Sequence, residues 1–173
     1  MFYSFNEELQ ADFRKNDVVL YNNDCLEVLK KIPNNSIDLV VTDCPYRVIS
    51  GGGSSRNSKK LCGGVLNKNN EDVRKGKLFK YNDIKFSQWL PIIYNKLKDN
   101  THCYIFINSR NLAELQKEAE KVGFKYQQLL VWDKGNAVAN KYYMNATEYI
   151  LMLRKGNAKD INNRRNKKYI KNP

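Results

Sequence analysis

Ser36-Ile37-Asp38-Leu39-Val40-Val41-Thr42-Asp43-Cys44-Pro45-Tyr46 decides the fold. Ile37 to Thr42 is a short apolar run with two valines in succession, which reads as a buried-type strand. Asp43 closes the run, so a carboxylate stands at the strand's carboxyl end. Cys44-Pro45-Tyr46 follows as a proline-stiffened turn with an aromatic ring. In open α/β sheets ligands bind at that edge of the sheet. A carboxylate and a ring held there can accept hydrogen bonds from an exocyclic amine and stack on a planar base. The same four residues also suit a plain strand-to-loop turn with Tyr46 partly in the core.

Upstream, Met1 to Asn16 is polar and mixed, and reads as a short helix or an arm. Val18 to Tyr21 reads as a strand, and Asn23 and Asp24 are cap candidates. Leu26, Val28, Leu29 and Ile32 then keep helical spacing until Pro33-Asn34-Asn35 stops them. Downstream, Phe86, Trp89, Leu90, Ile92, Ile93 and Leu97 mark a helix that Pro91 either kinks or, if the helix starts late, enters in its first turn, and Cys103 to Ile107 reads as a strand. Leu112, Leu115, Ala119 and Val122 mark another helix, with Gly123 as its stop. Phe124 to Trp132 and Ala146 to Leu153 read as two more strands. The alternation predicts an α/β fold with a mostly parallel sheet and an antiparallel edge hairpin.

The 173 residues suit one domain, 42% hydrophobic and 28% charged. The formal charge of +12 excludes an acidic solvating protein and favours anionic partners. The excess sits in two places. Residues 47–80 carry nine basic and two acidic residues, and residues 154–173 carry eight and one, so each is +7 and the remainder is −2. Such segments suit phosphate contact, although an Asn- and Lys-rich composition alone produces a similar excess. The long 47–80 stretch lacks periodicity and holds Gly51-Gly52-Gly53 and Gly63-Gly64, as a lid, a binding loop or a disordered segment does. Beyond Gly156 the chain reads as a flexible tail, giving a division into 1–156 and 157–173.

The four cysteines (Cys25, Cys44, Cys62, Cys103) form no close pair, and His102 is the single histidine. No metal site is expected, and free thiols in a cytoplasmic setting fit best. No apolar run reaches the roughly 18 residues of a membrane span, and the opening residues carry acids rather than a leader's apolar stretch.

Asp43 to Tyr46 resembles the Asp-Pro-Pro-Tyr motif of amino-group DNA methyltransferases that use S-adenosylmethionine. The resemblance extends over residues 18–156. It takes in Asn23-Asp24-Cys25-Leu26-Glu27-Val28-Leu29, Ser36 to Thr42, and Phe86, Trp89, Leu97 and Lys98. It continues through Tyr104-Ile105-Phe106, Gly123-Phe124, Val131 to Asn136, and Glu148 to Leu151. The leading Asp resembles the adenine-specific branch more than the cytosine-N4 branch, where Ser is usual.

The resemblance implies a partial Rossmann-like methyltransferase sheet and direct methyl transfer to the N6 of an adenine flipped out of double-stranded DNA. It implies that Tyr46 stacks on the base, the Asp43 carboxylate accepts one N6 hydrogen, the Cys44 carbonyl accepts the other, and Pro45 shapes the turn. Asp24 is carried over as a cofactor contact. Arg47, Arg56, Lys59, Lys60, Arg74, Lys75 and Lys77 in the 47–80 loop are the candidate DNA contacts. Lys134 and Lys141 join them, with Asn136 to Tyr143 as a second candidate loop. A restriction-modification, phage or mobile-element setting is in keeping with such an enzyme.

Two departures stand out. Cys44 replaces a proline, which removes one fixed φ from the turn. And nothing after Tyr149 resembles the glycine-bearing cofactor motif, Phe-x-Gly-x-Gly, that follows in this branch. Three expectations stay open: a split enzyme completed by a second chain, an incomplete fragment, or a self-associating remnant that binds nucleic acid without catalysis. In each the sheet has an exposed edge.

Overall fold

A computed structural model describes residues 11–45, 84–138, 143 and 145–157. Tyr46, the 47–80 loop with its seven basic candidates, Lys141 and most of the 157–173 tail lie outside the described residues, as does the opening arm through Gln10.

The first described elements are β1 (Phe13–Lys15) and β2 (Val18–Leu20), an antiparallel hairpin turned at Asn16 with φ of 51°. This corrects the expectation of a helix or arm over Phe13–Lys15. All three β1 side chains are exposed, so no hydrophobic period announced the strand. Its pairing is set by β2, and the Asp12 carboxylate accepts the Asn22 N–H at 2.7 Å.

Helix α1 (Cys25–Lys31) begins where Asp24 accepts the Leu26 N–H at 2.7 Å. Glu27 in its first turn and Lys30 and Lys31 in its last complement the helix dipole. Strand β3 (Ile37–Asp43) then carries the decisive stretch, with Asp43 as its last residue. Helix α2 (Phe86–Lys96) buries Phe86, Trp89, Leu90 and Ile93. Pro91 lies inside α2 without ending it. A mid-helix proline costs about 3 kcal/mol, and burying four large apolar side chains at about 1.5–3 kcal/mol each outweighs it.

Strand β4 (Leu97–Ile107) pairs parallel with β3. It starts earlier than the apolar run Cys103–Ile107 indicates. Ile37 pairs with Leu97 and Leu39 already with His102, so Lys98–Thr101 bulges out, with Asn100 at φ of 63°. Helix α3 (Ser109–Val122) is capped by Asn108, which accepts the Asn111 N–H at 3.0 Å. It ends at Gly123, whose φ of 113° closes the helix in the left-handed region. Strands β5 (Lys125–Val138) and β6 (Asn145–Lys155) complete the sheet.

The sheet order is β3-β4-β6-β5. β6 runs against both β4 and β5, so β3, β4 and β5 point one way and β6 the other. This is the expected α/β class, mostly parallel with an antiparallel edge hairpin. The core lies between the helices and one sheet face. Leu90, Leu97, Cys103, Ile105, Ile107, Leu115, Leu151 and Leu153 are all nearly fully buried there. On the opposite face, Leu39 and Val41 of edge strand β3 are 53% and 60% exposed. The expected exposed edge is thus present among the described residues.

Lys155, at the end of β6, fastens the edge of the sheet opposite Asp43. Its ammonium donates to the Leu97 carbonyl at 2.8 Å and the Asn35 side-chain oxygen at 2.8 Å. It also sits 4.9 Å from the centre of the Tyr94 ring. These contacts tie the turn before β3 to the start of β4. No helix among the described residues is long and apolar enough to cross a membrane.

Candidate functional site at the end of strand β3

Strand β3 delivers Asp43 to the carboxyl end of the sheet, in register with Phe106 of β4. Its carboxylate is exposed and has no ion-pair partner among the described residues. The next residue turns inward. Cys44 is 6% exposed and packs in the main hydrophobic cluster. Burial, with the Asp43 charge as a second contribution, pushes its thiol up to about 12. The thiol is therefore a neutral apolar plug, and its burial anchors the turn where proline would have stiffened it.

Beside this turn opens a cavity of about 540 Å³, a size usual for small-molecule sites. Thr42, Asp43, Cys44 and Pro45 line one end. Asn23 and Cys25 approach from the start of α1, and Trp89 and Ile93 form the wall on α2. Pro45 and Ile84, the described residues on either side of 46–83, both line it.

The candidates taken from the sequence separate as follows. Asp43, Cys44 and Pro45 sit together on the cavity. Asp24 adjoins it through its neighbours Asn23 and Cys25, but one of its carboxylate oxygens is committed to capping α1. Lys134 sits across the sheet on β5. Its ammonium pairs with Glu148 and lies 5.8 Å from the centre of the Trp132 ring. Trp132 in turn meets Phe106 edge-to-face at 6.0 Å. A line of contacts thus runs from Asp43's register partner to Lys134, whose charge is partly neutralised by its carboxylate. Part of the second candidate loop is strand, since Asn136–Val138 extend β5. The described residues hold no cluster of metal-ligating side chains.

Trp89 and Tyr21 line the cavity too, and sequence reading assigned them no place in it. The Trp89 indole N–H and the Tyr21 hydroxyl are buried without a hydrogen-bond partner among the described residues. At Trp89 the sequence offered helical spacing, which signals core, and a place in the family resemblance, which carried no role for it.

The model of the DNA methylase family matches residues 37–173. The type II methyltransferase M2.DpnII of Streptococcus pneumoniae is 28% identical over 150 residues, covering 85% of this chain and 54% of its own length. M2.MboI of Moraxella bovis is 24% identical over 141 residues, covering 79% and 49%. The chain spans about half the length of the curated relatives it matches. Among solved structures, an M1.HpyAVI–SAM complex superposes with a TM-score of 0.54 at 19% identity, covering 80% of this chain and 55% of that one. The cytosine-N4-specific PvuII DNA methyltransferase does so with 0.51 at 16% identity, covering 80% and 49%. These superpositions bear on the fold.

Proposed function

The chain belongs to the DNA methylase family, and from that premise we propose that it carries the base-binding half of an adenine-N6 DNA methyltransferase. The observation behind this reading is Asp43, exposed at the carboxyl end of β3 and opening onto a cavity of about 540 Å³. The substrate is an adenine flipped from double-stranded DNA. The Asp43 carboxylate accepts a hydrogen bond from N6, and the Cys44 carbonyl accepts the second. Tyr46 stacks on the ring and Pro45 keeps the turn tight. These contacts aim the N6 lone pair and raise its electron density, which is catalysis by positioning and electrostatics.

The residues present fit S-adenosylmethionine along one wall. An Asp43 carboxylate without an ion-pair partner among the described residues suits a cationic ligand, and the apolar lining suits its ring and chain. When bound, the cofactor supplies an electrophilic methyl group. Asn23, Asp24 and Cys25 would border it. Arg47, Arg56, Lys59, Lys60, Arg74, Lys75 and Lys77 would hold the DNA backbone, with Lys141 at the second loop and Lys134 supporting the pocket through Trp132. The setting is read as cytoplasmic, and a second chain or self-association covers the exposed sheet edge.

Duplex pools carrying 2-aminopurine in place of adenine test this reading. Binding should weaken steeply with salt, and emission should rise as the analogue leaves the stack. Binding without any change in emission would reduce the protein to a nucleic-acid-binding module.

A further inference from the structure

We propose that His102, Arg154 and Lys125 form a binding site for a phosphate monoester on the sheet face turned away from the helices. His102 of β4 pairs with Arg154 of β6, and Arg154 pairs with Lys125 of β5. Residues directly opposite in antiparallel pairs share a face. Cys103 and Leu153, their neighbours along β4 and β6, are fully buried in the core, so His102 and Arg154 point the other way. Three basic side chains thus stand in one row across three adjacent strands, spanning about 10 Å. The row of Asp43, Phe106 and Ile150 lies four residues along the strands, about 13 Å away. None of the three basic residues lines the cavity beside Asp43.

The chemistry of the row calls for an anion. Like charges directly opposite on a sheet repel, and no carboxylate among the described residues pairs with any of the three. Asp38, next to the row on β3, is paired with Lys98. The Arg154 guanidinium is only partly used. One of its terminal nitrogens donates to the Gly156 carbonyl at 2.8 Å. Its Nε–H is buried without a partner among the described residues, and such a donor is costly until an acceptor meets it. The half-buried His102 ring, 6.3 Å from the Tyr104 ring and tilted by 52°, offers an N–H, and exposed Lys125 offers its ammonium. Arg154 and Lys125 together bring two positive charges. A phosphate monoester carries about −1.5 to −2 near pH 7 and three acceptor oxygens, and a guanidinium fork fits those oxygens in pairs. A carboxylate, with one charge and two oxygens in a plane, matches less of this set. The monoester belongs either to a small phosphorylated molecule or to the phosphorylated end of a nucleic-acid strand.

His102 is the only histidine of the chain, so its ring C–H signal in a proton NMR spectrum of the full chain is a unique reporter. At constant pH, inorganic phosphate should move this signal along a saturating curve, and potassium chloride at matched ionic strength should not. Lys125→Gln and Arg154→Gln should each weaken phosphate binding by about tenfold or more. Lys117→Gln, at an exposed position of α3, should leave it unchanged. Lys125 is exposed, so Lys125→Gln should keep the unfolding temperature and decides the matter even if Arg154→Gln does not fold. A short duplex with a 5′ phosphate that moves the signal at lower concentration than the same duplex without it would identify a strand end as the source. Equal behaviour of the two duplexes, with phosphate binding intact, would identify a small phosphorylated molecule. Three results would overturn the proposal: no saturating shift with phosphate; the same shift with chloride; or undiminished binding in folded Lys125→Gln. The readout is binding at His102, so any of them leaves the assignment of Asp43 untouched.

Discussion

Replacing Lys155 with methionine should destabilise the protein by about 2–4 kcal/mol, although Lys155 lies at the opposite end of the sheet from Asp43. The methionine keeps most of the apolar stem over Tyr94 and removes the ammonium. Lost with it are two hydrogen bonds of 2.8 Å, to the Leu97 carbonyl and the Asn35 side chain. Bonds from a charged donor are worth about 1.5–3 kcal/mol each. The cation–π contact at 4.9 Å adds about 0.5–2 kcal/mol. The Asp99 carboxylate, 3.4 Å away but 75% exposed, adds about 1 kcal/mol at most. Relief from burying a charge offsets part of this sum, which leaves the stated range. For a domain of this size that is a fall in Tm of about 5–15 °C. Urea unfolding followed by tryptophan emission measures it, with Asp99→Ala as a control expected to cost about 1 kcal/mol or less. A loss under about 0.5 kcal/mol for Lys155→Met would refute the reasoning, because it would mean that an apolar side chain serves this position as well as the clamp does.

Other outcomes follow from single positions. Gly123→Ala should lower stability by about 1–2 kcal/mol in the same assay, since φ there is 113° and a Cβ would stand 3.0 Å from the Tyr94 hydroxyl oxygen. Near pH 8 a thiol reagent should label exposed Cys25 but reach Cys44 and Cys103 only after unfolding, as peptide mapping would show. Burial raises both buried thiols from 9.0 to about 12, with the Asp43 charge adding for Cys44. The folded state therefore favours the protonated form. That contribution is complete below about pH 9 and is lost as pH climbs through 12, so unfolding free energy should fall across this window.

Much of this architecture was legible because its signals are local. The Ile37–Thr42 run, the Asp24 cap and the Gly123 stop each act within a few residues, and each appears where the chain announces it. What escaped depends on distant partners. Phe13–Lys15 is a strand because β2 lies beside it, not because of its own exposed side chains. Leu97 begins the strand because Ile37 of β3 pairs with it and Lys155 binds its carbonyl, while the polar residues that follow bulge out until pairing resumes at His102. β5 continues through Gly135 and Asn136 because β6 supplies a partner again at Asn145. At the site, the turn was visible as a motif. The orphaned indole of Trp89 was not, since helical spacing tells which face is buried and not what that face meets.

The most direct test of the central claim is methyl transfer itself. The chain, supplied with the unmatched segment of the pneumococcal relative, is incubated with duplex DNA and deuterium-labelled S-adenosylmethionine, and the nucleosides are analysed by mass spectrometry. Labelled N6-methyladenine should form, and Asp43→Ala should reduce it by about a hundredfold or more. Label on cytosine N4, or adenine labelling that persists unchanged in Asp43→Ala, would contradict the account.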